Sequence, residues 1–280
     1  MRPILATLSF GGGGLPIYAY GFCLVAAALL GGILFIRGAA GIGLSRRRAL
    51  GLFLAALAGG LVGARALDAL MNLPYYLANP GQFVSTDLDG FALFGGLAGA
   101  ILVAILWSRR HGLSLRRLAD ASIPAVAVGV VLLRVGCFLN GCCAGLPTSL
   151  PWGVVFPPAT SPGGGLQAGP LALLGIAASA PVPVHPTQIY ELLAAAALGL
   201  LAASLKRRAA APGLPALCFT SGFLLFRAAN QALRHSSLDA VFSTPLLVTI
   251  YFAAGLLAAA GLLYAVARER RALALRLATT

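Results

Sequence analysis

In the stretch ASIPAVAVGVVLLRVGCFLNGCC, residues 121–143, a long apolar run ends in a short polar segment. The run approaches the roughly 20 residues that an α-helix needs to cross about 30 Å of hydrocarbon. One arginine, one asparagine and three cysteines follow within residues 133–143. Because such polarity is costly in an apolar helix, the stretch predicts a transmembrane helix with a functional site near one end.

The whole chain has the composition of a multi-pass membrane protein. Of its 280 residues, 59% are hydrophobic and only 10% are charged, and the mean hydropathy is +0.92. We therefore expect an all-α polytopic membrane protein that forms a single domain, residues 1–280, with an external arm at 141–187 and no removable signal peptide. Seven spans are predicted at 17–36, 49–71, 91–107, 118–139, 189–205, 214–233 and 246–266.

The distribution of charge predicts the orientation. The net charge is +13, but most basic residues cluster after alternate spans, at 37–48, 109–117, 206–208 and 268–276. The loops 72–90 and 140–188 contain no lysine or arginine. The positive-inside rule then predicts an external N-terminus and a cytoplasmic C-terminus. Such separated clusters suit anionic membrane lipids and do not predict a nucleic-acid surface.

A second group of arginines lies inside spans or at their outer ends: Arg65, Arg134, Arg227 and Arg234. An arginine at membrane depth costs roughly 2.5–3.5 kcal/mol, so it needs a partner or a ligand, and its forked donors suit a phosphate. Arg65 can pair with Asp68 on its own helix, and Arg234 is expected to extend to the membrane interface. Arg134 and Arg227 have no acid within four residues and therefore require a distant partner or a ligand.

The three cysteines at 137, 142 and 143 leave three interpretations open. They can bind a metal together with His185, form a disulfide, or serve as small soft residues of the protein interior. We favour the last interpretation and expect no metal site, because no Cys-x-x-Cys pair flanks them and the chain has five cysteines.

The segment PVHPTQIYELL, residues 183–193, places an unusual number of polar side chains at the start of an apolar helix. Thr187 and Glu191 can cap the helix, but the whole set exceeds what capping needs, which favours a functional role. Glycine pairs such as Gly59 with Gly63 and Gly95 with Gly99 predict close helix packing. Trp152 in the external arm suits the interfacial aromatic belt.

Taken together, LRVGCFLNGCCAGLPTSLPWGVVFP (133–157) and HPTQIYELL (185–193) resemble the prolipoprotein diacylglyceryl transferase family. The likeness extends to YAYG (18–21), GARAL (63–67), FGGLAGA (94–100) and SGFLLFRAANQALR (221–234). The resemblance implies transfer of the diacylglyceryl group from phosphatidylglycerol to the lipobox cysteine of a prolipoprotein in the bacterial inner membrane. It implies no cofactor and no metal.

The resemblance also implies roles for residues. Arg134 and Asn140 would hold the lipid headgroup, and Arg227 would stabilise the departing phosphate ester. Proton removal would fall to His185, Tyr20 or Glu191, or arginine-assisted formation of the thiolate would suffice without a dedicated base. The remaining substrate-binding positions would be Arg65, Gly95, Gly96, Gly145, Gln188 and Tyr190.

The chain departs from the family pattern at four positions. Phe94 stands where the family has a histidine, Cys137 and Cys142 replace an asparagine and a glutamate, and Gln231 replaces another glutamate. A working transferase and a diverged paralogue that binds phosphatidylglycerol but uses another acceptor, or is not catalytic, are the two interpretations. A solute transporter is a third class, but the sequence contains no two related halves.

Overall fold

The computed structural model describes residues 4–10, 13–84, 92–156, 182–208, 211–234 and 244–278. These residues contain eight α-helices: α1 Ala19–Ala40, α2 Arg46–Met71, α3 Leu73–Ala78, α4 Leu93–Arg110, α5 Leu115–Asn140, α6 Thr187–Arg207, α7 Leu214–Ala232 and α8 Thr244–Ala278. A short 3₁₀ helix, Pro80–Val84, follows α3.

The all-α class is confirmed, and an antiparallel hairpin that the sequence did not predict precedes the first helix. Strand β1, Ile4–Phe10, pairs with β2, Gly13–Tyr18. The β1 sequence ILATLSF puts its apolar side chains largely at every second position, which is the strand period. The prediction missed the hairpin because it searched for runs long enough to span a membrane. The first helix accordingly begins at Ala19 rather than at residue 17.

Five helices are long and apolar enough to cross a membrane, so the chain is a multi-pass membrane protein. Among the described residues these are Ala19–Ala40, Arg46–Met71, Leu115–Asn140, Thr187–Arg207 and Pro245–Arg268. Side chains such as Val62, Leu200 and Leu257 are 68–76% exposed. So many exposed apolar side chains are typical of a surface that contacts lipid. Helices α4 and α7 fall on the two other predicted spans, and the count of seven and the orientation stay predictions.

The chain divides into two compact units. One comprises Gly32–Ser122, and the other comprises Met1–Gly31 together with Ile123–Thr280. The division falls within helices α1 and α5. The single-domain prediction is not tested by this division, and each unit is described by itself.

In the unit Gly32–Ser122, helices α2 and α4 pack through facing glycines. A Cβ atom built on Gly63 would collide with the carbonyl oxygen of Gly95, and one built on Gly99 would collide with that of Gly59. The backbones therefore approach as closely as only glycine allows, which confirms the packing predicted from these pairs. Main-chain contact replaces side-chain packing along this helix pair.

In the other unit, α7 packs against both α6 and α8 through small residues. A Cβ on Gly222 would lie 2.6 Å from Leu198 Cδ2 of α6, and one on Gly255 of α8 would lie 2.8 Å from Leu225 Cδ2 of α7. The described part of the external arm joins the same unit, because Val184 pairs with both Pro147 and Val154. This pairing positions the segment that leads into α6.

We predict that Gly95→Ala destabilises the protein by about 1–3 kcal/mol, because the added methyl group must displace the Gly63 backbone. Gly129→Ala is the matched control, since a Cβ on this helical glycine of α5 meets nothing within 4 Å. Alanine there should be neutral or stabilising. Thermal unfolding of the detergent-purified variants measures both effects, and equal midpoints would contradict the packing argument.

Candidate functional site

The polar centre of the larger unit is one carboxylate bonded to three guanidinium groups. Glu191, near the start of α6, is 2% exposed. Its Oε1 lies 2.7 Å from Arg134 Nη2, and its Oε2 pairs with Arg227 Nη1 and lies 3.6 Å from Arg234 Nη1. The acid is therefore shared by cations from α5, from α7 and from the residues that follow α7.

These ion pairs resolve the expectations for the membrane arginines. Arg134 and Arg227 do have a distant partner, as their lack of a local acid predicted. The prediction that Arg234 extends to the interface is wrong, because its side chain is 11% exposed and pairs with Glu191. Burial, followed by the charge of Arg227, lowers the pKa of Arg234. The guanidinium of Arg227 also lies 5.4 Å from the centroid of the Tyr251 ring on α8.

The balance of charge determines what this cluster can bind. Three cations share one anion, so two positive charges remain uncompensated within the cluster. Buried like charges repel strongly unless a counter-charge is present. The arrangement therefore favours an anionic ligand with several acceptor oxygens, such as a phosphate ester.

Asn230 is a buried member of the site that the sequence analysis missed. Its Nδ2 donates to the backbone oxygen of Thr187 at 3.2 Å and to Glu191 Oε2 at 3.3 Å. The available signal was its position, three residues after Arg227 and therefore on the same face of α7. Its Oδ1, together with Gln188 Oε1 and Arg234 Nε, is buried without a hydrogen-bond partner among the described residues. Such atoms are rare in native proteins and mark a place for a ligand or water.

The start of α6 holds the turn that follows α5. Gln188 Nε2 donates to the backbone oxygen of Cys142 at 2.6 Å, and Thr187 Oγ1 donates to that of Cys143 at 2.8 Å. The interpretation of Thr187 as a helix cap is wrong, because its hydroxyl serves a segment distant in sequence. Both side chains are 1% exposed. They fix the end of α5 relative to Glu191.

Three free cysteines converge in this turn. The Sγ atoms of Cys137, Cys142 and Cys143 all lie within 4.8 Å of one another. Arg134 Nη1 donates to Cys137 Sγ at 3.8 Å. Hydrogen bonds from Cys137 and then Cys142 lower the pKa of the Cys143 thiol, and the charges of Arg234 and Arg134 act in the same direction against burial. The sequence did not predict this convergence.

A chain of polar rings lies beside the same turn. Trp152 Nε1 donates to the hydroxyl of Tyr190 at 2.7 Å, and that hydroxyl lies 3.3 Å from His185 Nδ1. The Tyr190 hydroxyl oxygen accepts from Trp152 Nε1 and can also accept from His185 Nδ1–H, and in that tautomer His185 Nε2 is the acceptor nitrogen of the ring. Trp152 is 55% exposed, so its predicted place in an interfacial belt stays a prediction.

Gly145, Tyr20 and Asn140 complete the predicted residues of this unit. A Cβ on Gly145 would lie 2.7 Å from both His185 Cβ and the Leu233 oxygen, so this position admits no side chain. Tyr20 is 39% exposed, and its Cα lies near Gly136 of α5. Asn140 is exposed and ends α5.

Three other predicted residues belong to the unit Gly32–Ser122. Arg65 Nη1 donates to the hydroxyl of Tyr76 at 3.3 Å, and that hydroxyl donates to Asp68 Oδ2 at 2.6 Å. The expected pairing of Arg65 with Asp68 is thus bridged by a tyrosine. Gly95 and Gly96 pack against α2, and their predicted substrate contacts stay predictions.

Fold and site together define an integral membrane protein with a part-buried cluster of cations suited to an anionic headgroup. Comparison with known proteins agrees with this class. The sequence model described as prolipoprotein diacylglyceryl transferase matches residues 7–266, and the chain belongs to that family.

Curated relatives carry the name phosphatidylglycerol--prolipoprotein diacylglyceryl transferase. The protein of Ruegeria pomeroyi is 37% identical over 195 residues, which cover 67% of this chain and 61% of the relative. That of Clostridium tetani is 29% identical over 68% of each chain. That of Geobacter sulfurreducens is 34% identical over 56% of this chain and 53% of the relative. The chain thus matches between about half and two thirds of the length of these relatives.

We predict that Glu191→Gln destabilises the protein by about 3–5 kcal/mol, because it removes a buried carboxylate and leaves three part-buried guanidinium groups without its charge. Adding Arg134→Gln should recover part of the loss, since it removes one of the repelling cations. Thermal unfolding of the two single variants and the double variant measures this coupling. Strict additivity of the two losses would argue against a shared cluster.

Proposed function

We propose that the protein transfers the diacylglyceryl group of phosphatidylglycerol to the cysteine thiol of a lipobox-containing prolipoprotein. The observation that carries the proposal is the surplus of part-buried guanidinium groups around the buried Glu191, in a chain of this family. A phosphodiester headgroup supplies the negative charge that this cluster lacks. The names of the relatives support the choice of both substrates.

The reaction forms one carbon–sulfur bond and breaks one carbon–oxygen bond. The acceptor thiol loses its proton, and its sulfur attacks the carbon of the diacylglyceryl group that is bonded to the phosphate oxygen. The electron pair of the broken bond stays on that oxygen, and glycerol phosphate departs with an additional negative charge. A second charge on the leaving phosphate strengthens its interaction with the arginines, so they stabilise the transition state more than the bound substrate.

The residues around the cluster have distinct roles in this proposal. Arg134 and Arg227 bind the phosphate, and Glu191 holds their guanidinium groups in position between turnovers. The unpartnered Oε1 of Gln188 and Oδ1 of Asn230 accept hydrogen bonds from the glycerol hydroxyl groups. A ligand that donates hydrogen bonds to these buried acceptors removes the free-energy penalty of leaving them unpaired.

His185 is the base in this proposal. Its Nδ1 faces the Tyr190 hydroxyl, which Trp152 orients, so the ring presents its other nitrogen, Nε2, for proton transfer. An unprotonated imidazole nitrogen can accept a thiol proton. Glu191 suits this role less well, because its oxygens are engaged by guanidinium groups. Among the residues that the structure describes, no hydrogen bond orients the Tyr20 hydroxyl in the way that Tyr190 orients His185.

The proposed setting is the bacterial inner membrane, with seven spans, an external N-terminus and a cytoplasmic C-terminus. The absence of lysine and arginine from the segments 72–90 and 140–188 supports this orientation. It places the end of α5, the start of α6 and the end of α7 at the outer surface. Prolipoproteins exported across that membrane would then meet the site directly.

Reconstitution tests the proposed activity. Purified protein, phosphatidylglycerol and a lipobox peptide are incubated, and mass spectrometry detects a diacylglyceryl thioether on the peptide. We expect product with the wild type and a loss of at least about 100-fold in kcat/KM with Arg134→Ala, the scale set by removing a charge-stabilising donor. Arg110→Ala, an exposed arginine that ends α4, is the matched control and should keep full activity.

The opposite result is informative. No product from wild-type protein that binds phosphatidylglycerol, beside an active family member, would reject the transferase and favour the paralogue that uses another acceptor. Full activity of Arg134→Ala would reject the role of the arginine cluster.

The pH dependence tests His185. A base accepts the proton only in its unprotonated form, so this role predicts a wild-type rate that declines as the pH falls. His185→Asn should lower turnover most near neutral pH and remove that decline. The pH–rate profiles of the wild type and His185→Asn test this role, and identical profiles would show that His185 is not the base.

A further inference from the structure

The cysteine cluster brings together three thiols that the proposed reaction does not use. Cys137 is 6% exposed in the last turns of α5, and Cys142 and Cys143 follow in the turn after it. All three Sγ atoms lie within 4.8 Å of one another, and no disulfide joins them. Three convergent sulfurs from one short segment exceed what packing of small apolar residues requires.

We propose that Cys137, Cys142 and Cys143 form a binding site for a thiophilic divalent cation of the Zn²⁺ class. A zinc ion binds thiolates at about 2.3 Å, which places tetrahedrally arranged sulfurs about 3.8 Å apart. The observed spacing of up to 4.8 Å needs a contraction of about 1 Å between the most distant pair. Rotations of the cysteine side chains supply that change without moving the backbone.

The charge of the surroundings supports this ligand class. Three thiolates and one divalent cation carry one net negative charge. Arg134 and Arg234 lie beside the cluster and belong to the group of guanidinium charges that Glu191 does not fully balance. A hard cation such as Mg²⁺ is disfavoured, because it prefers oxygen ligands and the cluster offers sulfur.

The backbone that carries the sulfurs is held in place by buried side chains. Gln188 bonds the carbonyl of Cys142, Thr187 bonds that of Cys143, and the backbone N–H of Cys142 donates to the carbonyl of Cys137 at 3.0 Å. Outer contacts of this kind orient ligands and increase metal affinity. With three protein ligands, the fourth position of a tetrahedral ion is left to an outside group, as in catalytic zinc sites.

Cobalt provides the probe for this site, because thiolate-bound Co²⁺ absorbs through sulfur-to-metal charge transfer. Full-length protein in detergent, kept reduced and free of chelator, is titrated with Co²⁺ and then with Zn²⁺. We expect one equivalent of Co²⁺ to produce the charge-transfer band and Zn²⁺ to remove it. Cys142→Ser should weaken Zn²⁺ binding at least about 100-fold. That factor is the upper end of the affinity loss seen when a residue that only orients a metal ligand is removed.

Cys218→Ser is the matched control, since this cysteine lies in α7 outside the cluster, and its titration should equal that of the wild type. Absence of the band in reduced wild-type protein would overturn the proposal without reference to any variant. An unchanged band in Cys142→Ser would overturn it as well. The titration uses no lipid substrate or acceptor peptide, so its outcome is independent of the transferase activity.

Discussion

The bonds between Glu191 and three arginines are the interaction on which the polar half of the molecule depends. One carboxylate near the start of α6 fixes side chains from the end of α5, from α7 and from the residue that follows α7. In a bilayer each of these cations would be costly alone, and their mutual repulsion would separate the helix ends. The carboxylate holds them together yet leaves positive charge in excess. The same feature therefore stabilises the helix ends and prepares them for an anion.

Uncharged residues around the Glu191 cluster hold the segments of the site at fixed distances from one another. Gly145 admits no side chain between His185 and the Leu233 carbonyl, and the pairing of Val184 with Val154 aligns the chain that enters α6. Gln188 and Thr187 then bind the turn after α5 through backbone carbonyls. Because these contacts join segments distant in sequence, the site is defined by backbone placement as much as by its arginines.

Local patterns in the sequence predicted the helices, the close glycine packing of α2 on α4 and the need of Arg134 and Arg227 for a distant partner. They could not predict that both arginines share Glu191 with Arg234, because pairing across helices depends on tertiary contacts that no spacing encodes. The cysteines show the same limit: the spacing of residues 137, 142 and 143 left three interpretations open, and only the folded turn brings the sulfurs together. The β1–β2 hairpin was missed for a different reason, since its alternation was readable but too short for a search for membrane spans.

The sharing of Glu191 also constrains how the protein is made. Arg134 is synthesised before its counter-charge, and at about 5–20 residues per second several seconds pass before Glu191 leaves the ribosome. Throughout that interval α5 carries an uncompensated cation costing roughly 2.5–3.5 kcal/mol in the bilayer. Arg227 and Arg234 follow later still, on α7 and just after it. Assembly of the site is therefore a late event in biogenesis, completed only when the end of α7 has joined α5 and α6.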